Sequence, residues 1–255
     1  MTQLPSARYN ITLMSHKPKS NDPAKAKASV ITSRSGDPLQ DPAAGLGKRV
    51  LEASEISKFP PRQRILAAAL KLFVEQGYFN TNVPDLSRDS HCSVGSIYHN
   101  FKNKEEVATA LYLEGIKAFR SAIYMSVKDM NDTQAFIKRL ITSFLKFSEA
   151  NHQLSKYLWL SRHNEFMTGI IHHPTRVGYD PLGRKLTQVI RTGIRHGELQ
   201  PLKANIIWSI LFGVPVGYVR DWLDGYNSEA PGTVADTIAE SCWRALRTEK
   251  PVTGK

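Results

Sequence analysis

The sequence predicts an all-α fold, and three observations carry that prediction. From Pro61 onward, apolar residues recur at the 3.6-residue period of a helix. No stretch shows the alternation of a half-buried strand, and no internal repeat is present. The helical stretches are parted by turn-rich breaks at 172–178, 197–201 and 225–232. A composition of 41% hydrophobic and 22% charged residues over 255 positions is that of an ordinary globular chain.

Each element has its own signal. Ile65, Ala68, Ala69, Leu72 and Phe73 fall on one face of a first helix, with Pro60 and Pro61 suited to its start and Gly77 to its stop. A second, short helix begins after Thr81 or Asn82, either of which can cap it; Pro84 is tolerated in its first turn and Leu86 faces inward. A third is capped by Ser93 and runs through Ile97 and Tyr98 to about Asn100. Lys104 heads a long fourth helix, with Asn103 as cap and Glu105 and Glu106 in its first turn. Further helical spacing covers 133–150, 153–167, 181–196, 203–224 and 232–247. Within 203–224, Gly213 and Gly217 permit close helix approach and Pro215 predicts a kink.

Residues 1–58 read differently. They carry Pro5, Pro18, Pro23, Pro38 and Pro42, many Ser, Lys and Asp, and almost no apolar periodicity. Such a segment buries too little apolar surface to offset its ordering entropy, so disorder is expected. Its nine Lys/Arg against five Asp/Glu suit a basic arm that attracts phosphates. The simpler reading, an unselected tail or a true start at Met14, takes precedence over a functional arm.

Charge and cysteine count narrow the function classes. Thirty-four Lys/Arg against 23 Asp/Glu give a net +11, and the pI near 9.6 favours a polyanionic partner. Two cysteines supply neither a disulfide framework nor a structural zinc site, and the chain reads as cytoplasmic. The longest apolar stretch, 204–219, is broken by Gly213, Pro215 and Gly217 and reads as a buried helix, not a membrane span. Two short helices joined by a tight turn on a basic chain suggest helix-turn-helix DNA binding. The second of the pair must enter the major groove. Val94, Gly95, Ser96, Tyr98 and His99 supply the small and polar outward positions this needs, while Ile97 and Phe101 hold the helix to its core.

The residues themselves point further. The run RQRILAAALKLFVEQGYFNTNVPDLSRDSHCSVGSIYHNFKNKEEV, residues 62–107, closely resembles the DNA-binding head of TetR-family transcriptional regulators. The resemblance lies in the ordered Gly77-Tyr78, Thr81, Asp85-Leu86, Ser93-x-Gly95-x-x-Tyr98 and Phe101-x-x-Lys104-Glu105. It implies three parts: residues before 59, a three-helix DNA-binding head with its helix-turn-helix over 59–104, and a helical ligand-binding and dimerisation domain over 105–250. It implies a homodimer on double-stranded DNA at a palindromic operator, repressing transcription until a small-molecule effector binds. By position, Thr81 would cap the second helix and touch a phosphate. Ser93, Val94, Gly95 and Ser96 would meet the groove, Tyr98 and His99 would contact phosphates, and Lys104 would hold a phosphate at the head of the fourth helix. Ser90 and His91 stand where the family has alanine and glycine, so His91 must accept a conformation that glycine takes freely. Val94 replaces a common lysine, and Asn82 the second threonine of the usual pair.

In the family arrangement, Phe119, Phe136, Phe144, Trp159 and Phe166 would surround an apolar cavity, with Arg162 and His163 as its polar groups; plain core packing is the competing reading for each residue. Ile207, Ile210, Leu211, Val214, Tyr218, Ile238, Trp243 and Leu246 would pair with their symmetry mates in a four-helix bundle, or else close the core of one protomer. Cys92 and Cys242 are expected as packing residues. His163, His172 and His173 lack the companions a metal site needs, so no metal and no cofactor are expected. Nothing resembles a nucleophile elbow, a phosphate-cradling loop or a paired-carboxylate site, and an enzyme is not expected. The competing function is a DNA-associated interaction protein without small-molecule input, held mainly by its basic charge.

Overall fold

A computed structural model describes residues 59–161 and 180–249. They form nine helices: α1 Pro61–Glu75, α2 Val83–Ser90, α3 Val94–Asn100, α4 Lys104–Val127, α5 Thr133–Ala150, α6 His152–Leu160, α7 Pro181–Arg195, α8 Ala204–Leu223 and α9 Ala235–Leu246. No strand occurs among the described residues; a single bridge joins Leu199 to Arg247. The starts follow local chemistry. The side chains of Asn103, Asp132 and Asp180 accept the amides of Glu106, Ala135 and Gly183, satisfying donors that a first turn leaves open. Gly77, at φ 85°, ends the run after α1 in a backbone region that side chains avoid. The expected helix 153–167 stops at Leu160, where Ser161 turns extended. The rest of that span lies outside the described residues.

Two apolar cores result. The first joins Ile65, Leu66 and Phe73 of α1, Leu86 of α2, Ile97 of α3 and Val107 and Leu111 of α4 with Leu154, Tyr157 and Leu158 of α6. It therefore draws on helices beyond residue 104. The second is built on Phe136, Ile137, Leu140 and Ile141 of α5 and is closed by α7, α8 and α9. Helix α6 belongs to both. Tyr157 stacks on Phe73 at 6.1 Å and donates its hydroxyl to the Ala108 carbonyl at 2.8 Å, while Trp159 packs against both cores. Gly115 lets α4 and α6 cross closely, since a Cβ there would stand 2.8 Å from Leu154 Cδ1.

Helix α8 is not a plain α-helix. Pro215 follows a π-turn, Ser209–Gly213, in which the Val214 amide reaches back five residues to Ser209. Proline cannot close the bond to residue 211, and the wider turn absorbs the mismatch. Nor is α8 a buried helix. It is apolar and long enough to cross a bilayer by length and composition, yet only 28% of its most apolar 18-residue stretch is buried. Periodicity places one face of a helix inside and does not say what covers the other.

Arg120 of α4 grips the Asp180 carboxylate with two donors at 2.5 Å each, fastening the long helix to the cap of α7. Burial alone would push the Asp180 pKa up, but the Arg120 guanidinium and the Gly183 amide outweigh it and hold the carboxyl below its usual range. Its contribution to stability is thus full above the unfolded carboxylate value, about 3.9, and fades as pH falls through the lower folded value. Asp180→Asn should lower Tm at neutral pH and leave a shallower acid limb than the parent in a pH series of thermal melts.

Candidate nucleic-acid interface

Helices α2 and α3 and the turn between them form a helix-turn-helix whose joints are all hydrogen-bonded. Asn82 and Asp85 close a reciprocal capping box, each side chain accepting the other's amide at 2.9 and 3.1 Å. His91 sits in the left-handed region at φ 53°, ψ 35°. The strain expected at this non-glycine residue is therefore real. Across the turn, the Ser87 hydroxyl donates to the Cys92 carbonyl at 2.7 Å, and an Arg64 nitrogen reaches the His91 carbonyl at 3.3 Å. Ser93 then caps α3 by accepting the Ser96 amide at 3.1 Å.

This frame sorts the residues of α3 into two faces. Ile97 and the following Phe101 are buried in the first core. Ser93, Val94, Gly95, Tyr98 and His99 are exposed and Ser96 is half-buried, with Val94 42% and Tyr98 54% accessible. Solvated apolar and aromatic groups at the start of a short helix suit contact with base edges and sugar-phosphate. A Cβ on Gly95 would meet only the Ser93 oxygen, at 3.9 Å, so internal packing does not require glycine there.

Two expected contacts turn inward. Thr81 is buried and is not the cap of α2; its hydroxyl donates to the Gly77 carbonyl at 2.8 Å and accepts from Gln76. Asn82, one residue on, has the extended backbone and the free carboxamide that capping needs. Lys104 does not reach outward for a phosphate. Its ammonium lies 4.3 Å over the Tyr78 ring and donates to the Tyr78 and Thr81 carbonyls at 2.8 and 2.7 Å, tying the head of α4 to the α1–α2 turn. Burial holds its pKa below that of a free lysine. Sequence position finds these residues but cannot say that nearby carbonyls claim them first. Arg62, whose guanidinium covers the Phe101 ring and pairs with Glu114, carried no signal beyond its place in the first turn.

In the second core, Phe119 meets Phe144 edge-on at 5.0 Å and Trp159 at 5.4 Å, and Phe144 stacks on Trp159 at 5.5 Å. Phe136 is fully buried. The Trp159 indole N–H is buried with no acceptor among the described residues. Arg162, His163 and Phe166 lie outside the described residues, as do His172 and His173. Of the expected interface residues, Ile207, Leu211, Trp243 and Leu246 are buried within one protomer, where they close the second core. Ile210, Tyr218 and Ile238 are half-buried. The solvent face of α8 carries Val214 with Ile206, Gly213 and Gly217. The π-turn offsets the register of α8, which simple helical spacing does not anticipate. Both cysteines are buried; Cys242 packs beneath the Ile210 carbonyl, and burial pushes its thiol up to about 11.

Replacing His91 by glycine relieves the left-handed strain at the cost of a looser unfolded chain, and should stabilise the protein by about 0.5–1 kcal/mol in chemical denaturation. Lys104→Met should cost about 1.5–3 kcal/mol in the same measurement, because two carbonyls lose a charged donor.

Comparison with known proteins agrees with this geometry. Residues 65–111 match the family described as "Bacterial regulatory proteins, tetR family". The chain is 24% identical over 169 residues to the fatty acid metabolism regulator protein of Bacillus subtilis, covering 65% of this chain and 85% of that one. It is 26% identical over 191 residues to the HTH-type transcriptional regulator SrpR of Pseudomonas putida, covering 74% and 86%. Among solved structures, a TetR-family transcription regulator from Marinobacter aquaeolei superposes with a TM-score of 0.63 at 16% identity, over 74% of this chain and 96% of that one. The fatty acid degradation regulator FadR of Bacillus halodurans gives 0.60 at 20%, over 77% and 98%. FadR of Bacillus subtilis, solved with stearoyl-CoA, gives 0.59 at 20%, over 70% and 96%. The head is thus matched to the tetR family by motif, family model and geometry, and the remaining helices share the fold of TetR-family regulators, the pattern of a DNA-binding transcriptional regulator.

Proposed function

We propose that the protein is a homodimeric repressor that binds a palindromic operator and is released by a small-molecule effector. The observation that carries this reading is the exposed face of α3, where Val94, Gly95, Tyr98 and His99 stand on a helix fixed from behind by Ile97 and Phe101. Ser93 and Ser96 join them at the groove, with Gly95 permitting close backbone approach. The solvent faces of α8 and α9, centred on Val214, Gly213 and Gly217 with Ile210, Tyr218 and Ile238 at the rim, form the subunit interface. An apolar helix left mainly uncovered in one protomer supports this role. Such a dimer presents two copies of α3 to successive major grooves about 34 Å apart.

The effector site lies among Phe119, Phe144 and Trp159, with Arg162, His163 and Phe166 supplied by the chain that follows α6. An apolar aromatic cluster with one unpaired indole donor suits a long acyl chain bearing a polar head, and the acyl-CoA held by a similar regulator makes stearoyl-CoA the first probe. The effector acts by shifting α6 and α4, which carry the head's core, so that the two reading helices no longer match the groove spacing. A preference of a few kcal/mol for the non-binding arrangement is sufficient. The working compartment is the cytoplasm, where the operator is.

Selection from a randomised duplex library at moderate salt should enrich one palindromic motif; recovery of fragments without a motif overturns specific reading. Gly95→Leu should weaken binding to that motif at least tenfold without loss of thermal stability, about 1.4 kcal/mol of lost contact. Val214→Glu should sediment as a monomer and lose the motif.

A further inference from the structure

We propose that Arg64 is a positioning residue for DNA reading: it holds the His91 carbonyl, and through it the left-handed turn that aims α3. This rests on the reading of α3 as the groove helix. The turn between α2 and α3 has its sharpest joint at His91, the only non-glycine residue with a positive φ among the described residues. A glycine takes that conformation freely. A histidine is strained there, and relaxes towards negative φ unless neighbouring contacts hold it. His91 stands two residues before Ser93, the cap of α3, so a change in its dihedrals swings the whole seven-residue helix. The caps fix each helix internally but leave the angle between the two to the turn.

The turn's own backbone bonds are long. The His91 amide donates to the Arg88 carbonyl at 3.4 Å, and the Cys92 amide to the Ser87 carbonyl at 3.3 Å. The Ser87 hydroxyl adds a short bond to the Cys92 carbonyl, but it too comes from α2 and moves with it. Arg64 comes from another helix. Its Nη1 donates to the His91 carbonyl at 3.3 Å, and that carbonyl is its one hydrogen-bond acceptor among the described residues. From the same first turn of α1, the Pro61 carbonyl lies 3.9 Å from Cys92 Sγ, so the start of α1 backs both turn residues. Arg64 is half-buried, and its Nε is buried with no acceptor among the described residues. A guanidinium kept where one donor goes unsatisfied adds little net stability. What it supplies is a fixed point. Ile65 and Leu66 beside it are fully buried in the first core, so the strained residue is pinned to a helix that cannot shift with the turn.

The test crosses the two positions in the full chain. R64M, R64Q, H91G and the doubles R64M/H91G and R64Q/H91G are compared with the parent on the library-selected motif and on a random-sequence duplex over a salt series. Both Arg64 substitutions should weaken the motif complex about tenfold or more and the random complex less than about threefold. The slope of log affinity against log salt should stay within about half a unit of the parent's. In the H91G background the same substitutions should cost less than about threefold on the motif, because glycine keeps the left-handed turn without a brace. In DNA-free protein, amide exchange at Ser96 and Ile97 should speed up about fivefold or more in R64M and R64Q and stay near the parent's rate in the doubles. An equal loss on the motif in both backgrounds overturns the proposal. So does a slope shallower by about 0.9 with equal losses on the two duplexes, the signature of a direct phosphate contact. A merely structural role would show as a lower Tm with the motif-to-random affinity ratio unchanged, and that result overturns it as well. Failure of the α3 reading would show instead as a parent protein that selects no motif, and the exchange comparison decides the role of Arg64 without DNA.

Discussion

A helix of seven residues has no stability of its own, so the reading helix exists only because Ile97 and Phe101 are buried in a core that other helices complete. Everything α3 exposes to solvent depends on that burial. The capping oxygen of Ser93, the closed capping box of α2 and the carbonyl contacts across the turn set the angle of α3, but the apolar plug holds it in place. The cost of a left-handed His91 is carried by the same packing, with Arg64 and Ser87 bonded on either side of it.

That core is not the head's alone. Leu154, Tyr157 and Leu158 enter it from α6, and Val107, Ala108 and Leu111 from α4. Tyr157 bonds to α4 through its hydroxyl and stacks on α1 through its ring, so one side chain touches both the first helix and the long connecting helix. Two residues later Trp159 joins the aromatic group around Phe119 and Phe144. A displacement of α6 cannot leave the head untouched, because well-packed interiors transmit strain instead of absorbing it. Arg120 and Asp180 fasten the other part of α4 to α7, so the connecting helix is held at both cores.

Lys104 shows how a residue that fits the family motif can differ in use. At the start of a helix facing DNA, an ammonium is expected to seek phosphate. Here two carbonyls and the Tyr78 ring lie within reach at no loop-closure cost, and the side chain stays inside. Thr81 is diverted in the same way by the Gly77 carbonyl. The head that results is well braced, and the side chains it leaves exposed on α3 include the apolar Val94 and the aromatic Tyr98.

The sequence by itself determined the helical class, the starts of α1, α3 and α4, and the inward and outward residues of α3, because caps, glycine stops and apolar period are local chemistry. The family motif made the type of head legible for the same reason: short-range spacing sets short-range geometry. Only the tertiary structure decided where Lys104 spends its hydrogen bonds, since its carbonyl partners lie 26 and 23 residues back along the chain. It also decided which side of α8 is left uncovered. Ile207 and Leu211 face the core while Val214 faces outward, and the π-turn ahead of Pro215 sets that register. An apolar residue carries the same hydrophobic signal whether its own protomer or a second subunit covers it, and the contacts of the folded chain are what distinguish the two.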